Sequence, residues 1–268
     1  MRTDRFAALL LVCLGLAIAE VATAATVSFT SIKDNSIFSE TIPLQVPPVN
    51  SNGLGGSFHT GRSGTAASLR RGLILFDISA HVPPLATINS VQLKLTVTEV
   101  PTNATAPNLV PVSLHRLVSD WGEGTSDAGE DAGSGSGAPA TTGDATWEYR
   151  FYNSSSWTTL GGDFVGAASA SQSVAKSIGI TPLWQSAGMI ADVQTWLDDP
   201  SSNLGWIVIG NETADRTTRR FGSKDSADAN LRPVLTIDFT PAPEPNSAVL
   251  ALIGIAMGIG VRRRNRPQ

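Results

Sequence analysis

Cysteine is almost absent from this 268-residue chain: the only one, Cys13, lies inside the apolar run Phe6 to Ile18. One thiol in that position supports no disulfide framework, zinc-thiolate site or cysteine nucleophile, so stability has to come from a packed core. Histidine is scarce too, and His59, His81 and His115 share no metal-ligand spacing. A nucleophile elbow is lacking, because Gly133-Ser134-Gly135-Ser136-Gly137 has glycine at its centre. The glycine-rich stretch 53–64 has no Gly-Lys-Ser/Thr ending, which removes the phosphate-loop reading. A basic face is missing as well. Between residues 25 and 242, 13 Lys plus Arg stand against 20 Asp plus Glu, a balance of −7 with no Lys/Arg stripe, so no nucleic-acid partner is expected.

The two ends of the chain do carry signals. Arg2 and Arg5 precede the short apolar run, and small residues follow at Ala22-Thr23-Ala24. Basic start, apolar core and A-x-A site describe a secretory signal peptide over 1–24, with cleavage at Ala22 to Ala24. At the other end Pro243-Glu244-Pro245 leads into the uncharged stretch Ser247 to Val261, capped by Arg262, Arg263, Arg264 and Arg266. Fifteen helical residues reach only about 22 Å against a hydrocarbon core of about 30 Å, a marginal span whose arginines would stay cytoplasmic. Pro-Glu-Pro, short span and arginine-rich terminus together resemble the PEP-CTERM sorting signal of Gram-negative bacteria. That resemblance implies an exosortase as processing partner, transient residence in the inner membrane, and release of the body to the cell surface or extracellular matrix.

The 218 residues from 25 to 242 suffice for one large all-β domain. Val91, Leu93, Leu95 and Val97 alternate strictly with Gln92, Lys94, Thr96 and Thr98, which predicts a strand with one wet face. Leu73 to Phe76 and Trp206 to Ile209 are continuous apolar runs and read as strands covered on both faces. Further candidates are Thr26 to Phe29, Val110 to Leu114, Trp147 to Tyr152, Ser173 to Ile180, Thr217 to Phe221 and Pro233 to Phe239. This density of short strands predicts an all-β fold, a jelly-roll-like β-sandwich of two antiparallel sheets. One short helix is expected over Ala187 to Asp199, where Met189, Ile190, Val193, Trp196 and Leu197 form a helical stripe. The N-terminal signal helix and a C-terminal transmembrane helix complete the expected architecture. Residues 46–65 and 123–145 read as long loops.

Chemistry is thinner. Hard oxygen ligands in the acidic loop, Glu123, Asp127, Asp131 and Asp144, make calcium the candidate cofactor, although no Asp-x-Asp-x-Asp-Gly spacing is present. All six tryptophans lie between Trp121 and Trp206, and Trp121, Trp147 and Trp157 flank the acidic loop or the turns after it. An exposed indole stacks on sugar faces, so these three are the carbohydrate-binding candidates, with core packing as the other account. Asp120, Glu123 and Asp163 are the acids from which a glycan-cleaving pair could be drawn.

Along the strands one pattern becomes visible. Arg70-Arg71-Gly72-Leu73-Ile74-Leu75-Phe76-Asp77-Ile78, the stretch Pro83 to Leu93, Leu114-His115-Arg116-Leu117 with Trp121-Gly122-Glu123-Gly124-Thr125, Asp192-Val193 with Trp196, Asn203-Leu204-Gly205-Trp206 and Arg232-Pro233-Val234-Leu235 follow one another. In this order they resemble DNRLRE (disaggregatase-related) domains over about Thr26 to Phe239. The resemblance implies a jelly-roll module akin to carbohydrate-binding modules. The six-letter string itself is absent, and Asp225 in Ser223-Lys224-Asp225 stands where a glutamate is expected. Three functions stay open: a non-catalytic surface or matrix module that contacts polysaccharide, a polysaccharide-cleaving enzyme, and a purely structural matrix protein.

Overall fold

The computed structural model of the protein describes residues 23–39, 49–64, 68–131 and 135–243. The chain opens with β1 (Ala25–Thr30), β2 (Lys33–Phe38), β3 (Asn50–Ser51), β4 (Ser57–Arg62) and β5 (Leu69–Leu75). Next come β6 (Thr87–Lys94), β7 (Val97–Glu99), β8 (Leu109–Arg116), β9 (Ala138–Pro139), β10 (Tyr149–Phe151) and β11 (Ser155–Ser156). After β12 (Ala170–Ala175) and β13 (Leu183–Trp184) the chain forms helix α1 (Ala187–Asp198), followed by β14 (Trp206–Ile209), β15 (Arg219–Gly222) and β16 (Val234–Thr240).

Four strands pair in the order β1-β16-β6-β13. A larger sheet runs β12-β8-β14-β5-β4-β15-β7, with β2 added to β5, and β10–β11 and β3–β9 are two-stranded ribbons. Where the small sheet is centred, Val91 faces Ile237 and Leu93 faces Leu235, all four buried. A slip of one residue would turn them into water, so the alternation sets the register. It also conceals a break. The chain leaves the small sheet at Lys94 and joins the large one at Val97, while Leu95 and Val97 stay buried because both sheets face one core.

Helix α1 covers β6. Ser186 caps it by accepting from the Met189 amide at 3.0 Å, and Met189, Val193, Trp196 and Leu197 are its buried stripe. The side chains of β5 and β14 alternate between two cores. Ile74 and Val208 enter the one between the sheets, whereas Leu73 and Ile207 point outward and join Ile37, Leu117, Trp121, Ala145 and Trp157. Continuous apolar runs therefore do mark strands with two covered faces.

The expected fold class needs correction. In place of a jelly-roll-like β-sandwich of two antiparallel sheets, the strands form a mostly-β, half-barrel-like curled sheet fold with α1 internal. Alternation states which face of a strand is buried but not which strand borders it. Here β14 and then β4 border the same edge of β5, at Arg71 to Ile74 and at Leu69 and Arg70, while β2 takes the other edge. The expected signal helix and C-terminal transmembrane helix fall on segments that lie outside the described residues, apart from residues 23, 24 and 243. Among the described residues no helix is long and apolar enough to cross a membrane, and α1 is twelve residues long with one apolar face. Of the residues assigned to cleavage and sorting, Ala24 and Pro243 are described; Ala22, Glu244, Pro245, Arg262, Arg263 and Arg264 lie outside the described residues. The loop reading of 46–65 is also corrected, since it contains β3 and β4.

Leu93→Ala, at the centre of the inter-sheet core, should lower unfolding stability by about 2 to 5 kcal/mol, whereas Gln92→Ala beside it should change it by less than about 1 kcal/mol. Urea titration of both variants followed by tryptophan fluorescence checks this.

Candidate functional site

The large sheet has an unusual strand, β2, at the free edge of β5. β2 carries Asp34, Asn35 and Ser36, all buried and all polar, and hydrogen bonds take the place of apolar packing around them. Asn35 donates to the Glu123 carbonyl at 2.9 Å and accepts from the Ser51 hydroxyl and the Asn52 amide, both at 2.9 Å. Ser36 accepts from the His59 amide at 2.9 Å. Opposite, Gly53 allows the loop to come close: a Cβ there would stand 1.9 Å from the Glu123 carbonyl oxygen.

This web brings three carboxylates together. Asp34 from β2, Glu123 from the acidic loop and Asp225 from the turn after β15 each offer an oxygen within 4.8 Å of the others. Glu123 accepts from the Asp34 amide at 2.9 Å, and one Asp34 oxygen accepts from the Lys224 amide at 2.7 Å and the Ser31 hydroxyl at 3.2 Å. The other, Oδ1, is buried without a hydrogen-bond partner. Lys224 Nζ is 2.8 and 2.9 Å from the two Asp225 oxygens and 3.3 Å from Glu123. An ammonium thus serves two of the three acids and leaves Asp34 open.

The electrostatics follow from burial. Desolvation pushes Asp34 up to about 7, reinforced by Glu123 and Asp225 and opposed by the Lys224 amide and ammonium. Glu123 is raised for the same first reason, against hydrogen bonds from Asp34 and the charge of Lys224. Burial lowers Lys224, but the hydrogen bond to Asp225 and the charges of Glu123 and Asp225 outweigh it and hold its ammonium above the usual range. Nearby, Lys33 donates to the Trp121 carbonyl and lies 4.2 Å from the centre of that indole. Three carboxylate oxygens within 4.8 Å match the spread of ligands around one divalent ion with bonds of about 2.4 Å, so the cluster can hold such a cation.

Of the four acids read as metal candidates, only Glu123 belongs here. Asp127 is exposed and accepts from the Gly129 amide, Asp131 is exposed farther along the loop, and buried Asp144 clamps the loop by accepting from Ser126 and from Thr141. Asp34 escaped notice because a buried polar strand has no hydropathy signal. Asp225 had one, as the residue standing in place of glutamate. Two of the three candidate tryptophans are core: Trp121 and Trp157 are buried and donate to the Leu204 and Thr146 carbonyls, leaving no open indole face. Trp147 is half-buried with the Arg71 guanidinium 4.7 Å from its ring centre. Burial raises Asp163, but the Thr158 and Thr159 amides and the Ser119 hydroxyl outweigh this and hold it below the usual carboxylate range, closing a loop.

No protein-family model and no curated protein matches this chain.

Asp34 ties the cluster to pH. Its folded value is raised from 3.8 to about 7, so its contribution is fully present below pH 4 and lost as pH climbs through 7, by about 4 kcal/mol in total. Asp34→Asn removes the buried charge while keeping an oxygen for the Lys224 amide. In chelator, the variant should melt higher than the parent at pH 8 and close to it at pH 4, measured by thermal denaturation at both values.

Proposed function

We propose that this protein is a non-catalytic β-sheet module of the polysaccharide-contacting kind, and that a calcium ion held by Asp34, Glu123 and Asp225 fastens its acidic loop to the sheet. The observation that carries the reading is the open, buried Asp34 oxygen beside two further carboxylates. The donors are hard oxygens on three separate segments, an irregular set that suits the flexible coordination of calcium better than the near-octahedral demand of magnesium. With Lys224 swung aside, a divalent charge offsets Asp34 as well as its two neighbours. The role is structural, because the segments it joins otherwise meet through hydrogen bonds between loop and strand.

Contact with polysaccharide is supported by the curled all-β fold, which is consistent with a generic carbohydrate-binding type, and by the ordered resemblance to DNRLRE domains. Stacking on Trp121 or Trp157 is not the means, since both indoles are buried. The non-catalytic reading draws on Asp163 and Asp120 being engaged in loop closure and in pairing with the Trp121 amide and Lys33.

Calcium at about a hundred times its dissociation constant should stabilise the fold by about 2.7 kcal/mol, a rise in melting temperature of about 5 to 10 °C for a domain of this size. Differential scanning calorimetry in calcium and in chelator measures it. Glu123→Gln should abolish most of the rise, and an equal melting temperature of the parent in both buffers would overturn the calcium reading.

A further inference from the structure

A second feature lies beyond the acidic cluster, where β4, β5, β7 and β15 adjoin. A cleft of about 150 Å³ is lined by His59, Arg70, Glu99, Arg216 and Arg220, with Gly135 of the acidic loop on its rim. Three guanidinium groups and one carboxylate make it locally cationic in a chain of net charge −4. Their commitments differ. Arg70 donates to the Gly135 and Ser68 carbonyls, and Arg220 donates to the Thr98 hydroxyl and pairs with Glu99 at 2.7 Å. Arg216 has no hydrogen bond or ion pair among the described residues, and the neighbouring Asp215 is taken by Arg62 at 2.9 Å. Its backbone is held at φ 60°, the left-handed region that a non-glycine residue enters at a cost of about 1 to 2 kcal/mol.

His59 adds a neutral polar atom. Its ring is buried with Nδ1 unpartnered. Burial first, and then Arg70 and Arg220, press its pKa down to about 3, so it stays uncharged across the ordinary range. The site therefore offers a free guanidinium fork, a second one shared with Glu99, and the uncharged His59 ring, whose Nε2 lies on the Gly135 side of the cleft. A planar fork matches a carboxylate, and an uncharged imidazole matches a hydroxyl. A cavity of about 150 Å³ is of the size that accepts one six-membered ring.

We propose that this cleft receives one carboxylate-bearing sugar ring, a uronate unit of an acidic polysaccharide, with Arg216 as the cation that pairs with the carboxylate and His59 facing a hydroxyl. The inference rests on the polysaccharide reading and narrows it to a ligand class. Arginine chemistry would also attract a sulfated sugar, and the arms of the experiment separate the two.

The test is isothermal titration of the full chain at low ionic strength with trigalacturonate, its methyl ester, a sulfated galactose trimer and neutral galactotriose. Saturable binding of trigalacturonate is expected, with no binding of the ester or of the neutral trimer. Arg216→Ala should weaken it by about tenfold. Lys94→Ala removes the same charge from the outer face of the small sheet and should leave affinity within about twofold, which excludes a general charge effect. Equal binding of acid and ester, tighter binding of the sulfated trimer, or an unaltered Arg216→Ala would each overturn the uronate site. Binding of neutral galactotriose alone overturns it too but leaves the polysaccharide reading standing. No binding of any of the four, followed by no retention in gels cast with acidic or neutral polysaccharides, sinks both.

Discussion

Leu73 beside Ile207 puts apolar side chains on the outer face of the large sheet, and water has to be kept from them. A β5–β14 pair covered on one side only would be an exposed apolar patch of the kind that draws other apolar surfaces onto it. The chain meets this with the segment that carries Leu117, Trp121, Ala145 and Trp157, a cover made of loops and ribbons rather than of a third sheet. Its tryptophans act as pins. Each buries a ring in the outer cluster and spends its N–H on a carbonyl, of Leu204 for Trp121 and of Thr146 for Trp157, so that a few large side chains hold down a long irregular stretch.

A cover built from loop backbone brings buried amides and carbonyls that need partners. β2 supplies some of them: Asn35, on the face of Leu73 and Ile37, bonds the Glu123 carbonyl and the Asn52 amide, while Asp34 and Ser36 on the opposite face accept from the Lys224 and His59 amides. Asn35 and Ser36 are neutral and can be fully satisfied inside the protein. Asp34 is different: it answers the Lys224 amide with one oxygen and leaves the other desolvated, and it does so next to Glu123 and Asp225. The accumulated negative charge thus arises where β2 meets the acidic loop and the turn after β15, and a cation is the simplest means of balancing it. Lys224 balances part of it, because an ammonium has three donors but only one charge.

Legibility in the sequence followed hydropathy and stopped where hydropathy stopped. The strip Val91, Leu93, Leu95 and Val97, the helix around Val193 and Trp196, and the double cover of Leu73 and Ile207 could be read because apolar periodicity reports burial. The handover from β6 to β7 could not, since the alternation runs through it without a break. Nor could β2 and β4, where buried Asn35, Ser36, His59 and Thr60 stand beside buried Ile37, Phe38 and Phe58 and leave no apolar period. The candidate site suffered most from this. Glu123 was visible as a loop acid, yet its partners lie roughly ninety residues before it and a hundred after it, and no local spacing joins them. Trp121 and Trp157 show a related limit: composition tells where aromatic residues cluster along the chain, but not whether the loop that bears them folds inward, and for these two it is the core-packing account that holds.

The acidic cluster and the arginine cleft share a scaffold. Asp34 stands on β2 two residues before Ser36, whose hydroxyl accepts from the His59 amide, and His59 lines the cleft. The acidic loop contributes to both as well, through Glu123 at the cluster and through the Gly135 carbonyl that accepts from Arg70 at 2.7 Å. A cation that draws Glu123 towards Asp34 would restrain one end of a loop whose other end helps to hold Arg70 in place. Arginines pre-positioned by such contacts lose less freedom when an anion arrives, so order created by a cation at the acidic site would favour the proposed recognition at the basic one. Opposite charges kept apart also avoid mutual quenching: Glu123 and Asp225 are answered by Lys224, while Arg216, in the connection between β14 and β15, has none of these acids as a partner.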